Sequence, residues 1–302
     1  MKLGIALPTS GPLAGVDNIA RIAREADRLG YDSVWTYERV LRPIAPVSMG
    51  GGDPQPVPET YRIAYDPLET LSFAAAITER VTLGTSIVQA LLHPAAVLAK
   101  RFATLDQLSR GRLLVGLGQG WMPQEFAAAG VPMSRRGRGM DEVVAALRAC
   151  WGPDPVSFEG EFTHIAESEI NPKPAQPYVP ILFGSAMPAG IKRAARVADG
   201  LNPVAISRDF LLQSVETYRT AVKEAGRDPD AMLVVARANS PITREPLGED
   251  RPYLGGSPRQ IAEDLAALEG TGVDHVLLGR QPEGGIDEAI ALYAELIDMV
   301  RG

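Results

Sequence analysis

The sequence predicts an α/β protein, a (β/α)8 barrel of the TIM type with insertions after strand 2 and between strands 4 and 5. Three observations predict it. Eight short apolar stretches alternate with helical ones, which makes neighbouring strands parallel, because each β–α–β connection must cover a sheet face. Eight such units are the number that closes a barrel. Several of the apolar stretches also finish in small or polar residues, at the strand ends where such a barrel carries its active face.

The elements follow in order. KLGIALP (2–8) is a strand ending at Pro8. VDNIARIAREADRLG (16–30) sets Ile19, Ile22, Ala23, Ala26 and Leu29 on one helical face, with Asp17 near its start and Gly30 as its stop. YDSVWTYE (31–38) is the second strand. Residues 42–65 hold five prolines and the run Gly50-Gly51-Gly52, so they form an irregular, mobile excursion. A helix from Pro67 to 79 leads into strand 81–88, and Pro94 starts a helix that buries Val97, Leu98, Phe102 and Leu105. RLLVGLGQG (112–120) is the fourth strand, followed by helices at 123–130 and 137–151. VSFEGEFTHI (156–165) alternates as a hairpin turning at Glu159-Gly160. After a proline-rich link (171–180), strands at 181–185, 200–206, 232–240 and 275–279 alternate with helices at 188–197, 208–226, 257–269 and 286–301. Nothing divides the chain, so 1–302 reads as one domain. The insertions at 42–65 and 152–180 account for most of the length beyond the roughly 250 residues of a plain barrel.

At 45% hydrophobic and 22% charged, the chain can bury a large core. One cysteine, Cys150, excludes an internal disulfide and a cysteine-based metal cluster. A net charge of −7 argues against a general nucleic-acid surface. With no leader after Met1 and no apolar run near the roughly 18 residues of a membrane span, a soluble, cytoplasmic protein without a membrane partner is expected.

Candidate chemistry gathers at the strand ends. Gly84, Thr85 and Ser86 leave room for a ligand and offer it hydrogen bonds, and Tyr37-Glu38-Arg39, Gly118-Gln119-Gly120 and Gly184-Ser185 occupy matching places. GLGQGW (116–121) is not a dinucleotide fingerprint: Trp121 stands where glycine or alanine is needed, and the segment follows the fourth strand rather than the first. Gly184-Ser185 before a proline-started helix is either a phosphate seat or an ordinary βα turn. Arg135, Arg136 and Arg138 read as a solvated helix start in preference to an anion site. His93, His164 and His275 have no metal-ligand spacing. Only His93, on the loop after strand 3, lies where chemistry can use it, while His164 sits in the hairpin and His275 at the stability end of the barrel. A metal-dependent hydrolase is therefore not expected, and no G-x-S-x-G elbow supports a serine hydrolase.

HPAAVLAKRFATLDQLSRGRLLVGLGQGWMPQEFAAAG (93–130) resembles the bacterial luciferase-like monooxygenase superfamily, as do LGYDSVWTYERVLRP (29–43), ERVTLGTSIV (79–88) and GGSPRQIAEDL (255–265). The resemblance implies a (β/α)8 barrel that binds FMN or the deazaflavin coenzyme F-420. Residues 29–43 look most like the F-420-dependent oxidoreductase branch. Carried over by position, Ser86 and Ile87 match a pair that forms a non-prolyl cis peptide behind the flavin ring. Glu38 falls where the family's sugar-phosphate dehydrogenases have an aspartate, and Arg39 where they have a catalytic histidine. Gln119 and Gln124 match polar cofactor contacts, and Trp121 replaces an acidic catalytic residue. These departures argue against sugar-phosphate oxidation.

The resulting expectation is hydride transfer between F-420 and a small organic substrate, with the protein as a reductase. Glu38, Arg39, His93 and Trp121 are the candidate catalytic residues. Gly84, Thr85, Ser86 and Ile87 would back the ring, Gln119 and Gln124 would contact it, and Gly184, Ser185 and Ala186 would seat the phosphate. Arginine cannot accept a proton, so Arg39 is read as an electrostatic positioner whose fork can hold a substrate carboxylate or phosphate, or else as a surface partner of Glu38. An FMN-dependent two-component monooxygenase and a non-catalytic flavin carrier are the alternatives. Relatives often form homodimers, which the resemblance extends to this chain.

Overall fold

The computed structural model describes residues 1–48 and 52–302, so of the Gly50-Gly51-Gly52 run only Gly52 lies within the described residues. Eight parallel strands close a barrel: β1 (Lys2–Ala6), β2 (Ser33–Thr36), β3 (Thr82–Thr85), β4 (Leu113–Gly118), β5 (Ile181–Gly184), β6 (Gly200–Asn202), β7 (Leu233–Ala238) and β8 (His275–Leu278). Each pairs with the next, and β8 returns to β1 with Lys2 opposite His275. The outer helices are α1 (Val16–Leu29), α2 (Pro67–Ala76), α3 (Ala95–Leu108), α4 (Pro123–Ala128), α5 (Arg138–Trp151), α6 (Pro188–Val197), α7 (Arg208–Glu224), α8 (Pro258–Ala266) and α9 (Ile286–Arg301). The expected barrel is the observed one.

Local chemistry sets the helix ends. Gly30 adopts φ 88° and closes α1 by donating to the Ala26 carbonyl, a left-handed cap that glycine takes without a Cβ penalty. Asp66 opens α2 by accepting from the Leu68 and Glu69 amides, with Pro67 at the first helical position. Several strands are shorter than their apolar stretches. β2 stops at Thr36, and β6 ends before Pro203, which has no N–H for the ladder. The stretch at 81–88 divides: β3 ends at Thr85, the Ser86–Ile87 peptide is cis as the resemblance implied, and a short strand resumes at Val88–Gln89. The hairpin is Val156–Glu159 against His164–Ser168. Its turn therefore spans 160–163 instead of Glu159-Gly160, because Glu159 stays in the ladder opposite His164 and also bonds its side chain at 2.7 Å.

Two residues expected at the ligand serve the barrel instead. A Cβ on Gly84 would lie 2.3 Å from the Trp35 ring, so the missing side chain is what lets Trp35 fill the barrel interior, where it packs with Ala6, Leu114, Leu182, Val235 and Leu277. Thr85 Oγ1 donates to the Gly116 carbonyl and accepts from the Gly116 amide, both at 2.8 Å. Its hydroxyl thus continues the β3–β4 seam just past the Gly84–Leu114 pair.

At the opposite end of the barrel, His275 Nε2 meets Ser33 Oγ at 2.8 Å, and Trp35 Nε1 donates to the same hydroxyl at 2.6 Å. Burial pushes the His275 pKa down to about 4, so the ring is neutral in this network. A cavity of about 780 Å³ opens here, lined by Lys2, Asp32, Thr82 and Arg301 among others. It lies at the N-terminal strand ends, the stability face of such a barrel. Among the described residues, no helix is long and apolar enough to cross a membrane.

Candidate active site

A second cavity, of about 510 Å³, opens at the C-terminal strand ends. Its wall is assembled from β-strand termini far apart in sequence: Glu38 after β2, Ser86 and Ile87 after β3, Gln119 after β4, Ser185 after β5, Asn202 at the end of β6 and Arg237 on β7. Of the candidate residues, Glu38, Arg39, Trp121, Ser86, Ile87, Gln119, Gly184, Ser185 and Ala186 line it together. Gly84, Thr85, His93 and Gln124 do not. The first two are spent on Trp35 and the β3–β4 seam, His93 stands behind Glu38, and Gln124 is turned into the protein with its Oε1 buried and unpartnered.

Glu38 and Arg39 are neighbours in sequence but point to different partners. Glu38 is 5% exposed. One oxygen accepts from the Gln89 amide at 2.6 Å, and the other lies 2.7 Å from His93 Nε2. An ionised carboxylate only accepts, so Nε2–H is then the donor. His93 is itself partly exposed, so the pair links the cavity wall toward solvent. Arg39 instead meets Glu125 at 2.8 Å, with the Glu125 side chain fully buried. Its guanidinium sits 5.3 Å from the Tyr61 ring centroid and 5.5 Å from that of Trp121, two contacts that give cation–π attraction to a desolvated charge. The alternative reading of Arg39 as a surface partner of Glu38 does not hold among the described residues, because each side chain has a better buried partner.

The insertion after strand 2 supplies part of this wall. Val47 and Val57 are buried against Met122, with Leu41, Tyr61 and Trp121 packed around them. Tyr61 comes from a 3-10 turn at Glu59–Arg62. The described part of the excursion is therefore anchored by an apolar cluster, which its many prolines concealed in the sequence.

Ser86 Oγ donates to Asn202 Oδ1 at 2.6 Å, and Asn202 Nδ2 donates to the Val235 carbonyl at 2.6 Å, fixing the amide's orientation. Ile87 packs where Gly118 and Gly184 leave space; a Cβ on either would come within 2.5 Å and 2.7 Å of its side chain. Gln89 is fully buried at the wall, and although its backbone N–H donates to Glu38, neither atom of its side-chain amide has a partner among the described residues. Buried polar groups are seldom left so, and this one marks where a polar occupant would bond. On the β5–α6 side, Ser185 Oγ accepts from the Met187 amide at 3.2 Å, and Pro188 opens α6. Arg193 on that helix is held by Asp141 at 2.7 Å. Gln119 accepts from the Gly137 amide at 2.7 Å, which fixes the turn carrying Arg136. Arg136 and Arg193 both line the cavity, so the arginine cluster taken for a solvated helix start contributes one residue to the wall.

The sequence reading placed Tyr37 at the strand ends without a role and missed Gln89, Asn202, Arg237 and Asn239. The signal for Arg237 and Asn202 was a polar residue inside an apolar strand, in VVARA and GLN.

The sequence profile described as luciferase-like monooxygenase matches residues 1–247. An uncharacterized protein of Mycobacterium tuberculosis is 31% identical over 281 residues, covering 92% of each chain. An FMNH2-dependent dimethylsulfone monooxygenase of Pseudomonas putida is 31% identical over 267 residues, covering 70% of this chain and 72% of the relative. An F-420-dependent glucose-6-phosphate dehydrogenase of Amycolatopsis mediterranei is 27% identical over 242 residues, covering 77% and 68%. Among solved structures, a monooxygenase of Streptomyces bottropensis shares the fold with a TM-score of 0.80 at 24% identity, over 100% of this chain and 99% of that one. With the profile spanning most of the barrel and the cavity at its C-terminal mouth, the chain belongs to the luciferase-like monooxygenase family.

Proposed function

We propose that the protein is an F-420-dependent oxidoreductase that reduces a small organic acceptor. The observation that carries this reading is the distribution of positive charge. In a chain of net charge −7, four arginines line one cavity; Arg39 and Arg193 are paired with Glu125 and Asp141, while Arg136 stands exposed at its rim with no carboxylate partner among the described residues. FMN carries a single phosphate, whereas F-420 carries a phosphodiester followed by carboxylates, so cations continuing beyond the α6 N-terminus suit the longer anionic tail. Ser185, Ala186, Arg193 and Arg136 would hold that tail, and Ser86, Ile87, Gln89 and Gln119 the ring. Gln89, buried and unpartnered, fits an occupant rich in amide groups.

When bound, F-420 supplies a hydride, that is, two electrons with one hydrogen. The proton that completes the reduction must come from the protein or water. Glu38 is the wall residue able to hold it, at the oxygen shared with His93, while the Gln89 amide fixes the other oxygen. His93 would restore that proton from solvent. Arg39 holds no proton to give; it orients Trp121 and Tyr61 and closes the substrate side against water. The absence of a base at position 39 thus does not by itself set the direction, because Glu38 is present.

Parallel calorimetric titrations of the purified protein with F-420 and FMN test the cofactor. Tighter binding of F-420, weakened at least about tenfold by Arg136→Ala with Arg193→Ala, is expected. Micromolar binding of FMN with none of F-420 would transfer the chain to the FMN-dependent monooxygenases.

A further inference from the structure

We propose that Arg237 recognises a carboxylate on the substrate, so that the protein acts on acidic acceptors in preference to neutral ones. This deepens the reading above and rests on the cavity being the redox site. The four arginines of the wall are not equivalent. Glu125 neutralises Arg39 and Asp141 neutralises Arg193, while Arg136 is exposed to water. Arg237 is partly buried, and among the described residues no carboxylate pairs with it. Its contacts are neutral oxygens: Nη1 donates to the Ser86 carbonyl, Nε donates to Asn239 Oδ1 at 2.8 Å, and Ser86 Oγ lies 3.5 Å away. Nη2 has no acceptor among the described residues.

Nor does Tyr37 supply the missing charge. Its ring lies 5.1 Å from the guanidinium and its hydroxyl donates to Ser10 Oγ at 2.7 Å. Burial raises the Tyr37 pKa, so the phenol stays neutral. Burial also lowers the Arg237 pKa, with Arg39 adding to it and Tyr37 and Tyr61 opposing, yet a guanidinium remains a cation at any working pH. A desolvated cation is costly unless an anion compensates it, and within this wall the compensating group has to arrive with the occupant.

The position assigns that anion to the substrate and not to the cofactor tail. The proposed tail seat lies after β5, on α6 and the turn before α5. Arg237 rises from β7 and crosses the barrel mouth to Tyr37 after β2 and Ser86 after β3. The forked donor set suits a carboxylate. The carboxylate-holding role expected of Arg39 therefore moves to Arg237, whose charge is not already spent.

The test uses cinnamate and cinnamamide, which differ in charge at nearly constant shape, titrated by calorimetry into the full-length protein, unloaded and F-420-loaded. Wild type should bind cinnamate at least about tenfold more tightly than the amide. Arg237→Gln, which keeps a neutral donor for the Ser86 carbonyl, should bind the two equally, and Arg237→Lys should retain part of the preference. Thermal melting confirms that each variant is folded. Equal binding, or no binding, of the two probes by wild type overturns the proposal. So does an acid preference that survives in Arg237→Gln, or a loss of F-420 affinity in that variant with the preference unchanged. F-420 and FMN titrations of the same samples separate this from the cofactor reading: wild type that binds neither cofactor defeats the redox assignment, while the unloaded protein still reports the acid preference.

Discussion

Glu38→Gln should lower turnover with reduced F-420 by about 10²- to 10³-fold, the range expected when a positioned proton donor is lost, with cofactor affinity changed by less than about threefold. The replacement is nearly isosteric. Its carbonyl oxygen can still accept from the Gln89 amide, and the wall keeps its shape. What disappears is the exchangeable proton at the oxygen facing His93. Stopped-flow oxidation of reduced F-420, with thermal melting of the same samples, separates this loss from a structural one. His93→Gln should retain cofactor binding with a smaller loss of rate. If Glu38→Gln turns over normally, the proton comes from water and Glu38 is part of the scaffold.

The second large effect is on stability. Arg39→Met should destabilise the fold by about 3–5 kcal/mol, since it strands a carboxylate in the interior. Glu125 is fully buried and accepts from both Arg39 and the Val40 amide, each at 2.8 Å. The single variant would therefore lose activity for a reason unconnected with catalysis. The double variant Arg39→Met with Glu125→Gln removes both charges and leaves an acceptor for Val40, so it should recover most of the loss. Urea denaturation of the two single variants and the double measures this directly. Additive losses would mean that the pair is not coupled, and that the contacts of Arg39 with Tyr61 and Trp121 are what matter.

The strand and helix order was legible because parallel strands with crossover helices leave an alternating pattern that few other arrangements produce. Part of the site was legible for the same reason: the C-terminal ends of β2 to β5 point to one mouth, so Glu38, Ser86, Gln119 and Ser185 could be grouped without coordinates. Which of two neighbouring residues faces the mouth was not legible. Gly84 and Ser86 look equally suited to a ligand until Trp35, from the adjacent strand, occupies the space above Gly84. Pair choice was hidden too. Glu38 and Arg39 adjoin in sequence, yet their partners His93 and Glu125 lie 55 and 86 residues away. Arg237 was missed because an arginine in an apolar strand acquires meaning only when the carboxylates around it can be counted.

On the proposed reading, this cavity carries out oxygen-independent hydride transfer with a protein-held proton. An anaerobic single turnover tests it most directly: purified wild type, one equivalent of reduced F-420, and cinnamate as an unsaturated acid, followed by F-420 absorbance and product analysis. The prediction is one equivalent of saturated acid for each F-420 oxidised, at a rate that air does not increase. No reduction without oxygen, together with oxygen-consuming turnover when reduced FMN is supplied, would contradict it.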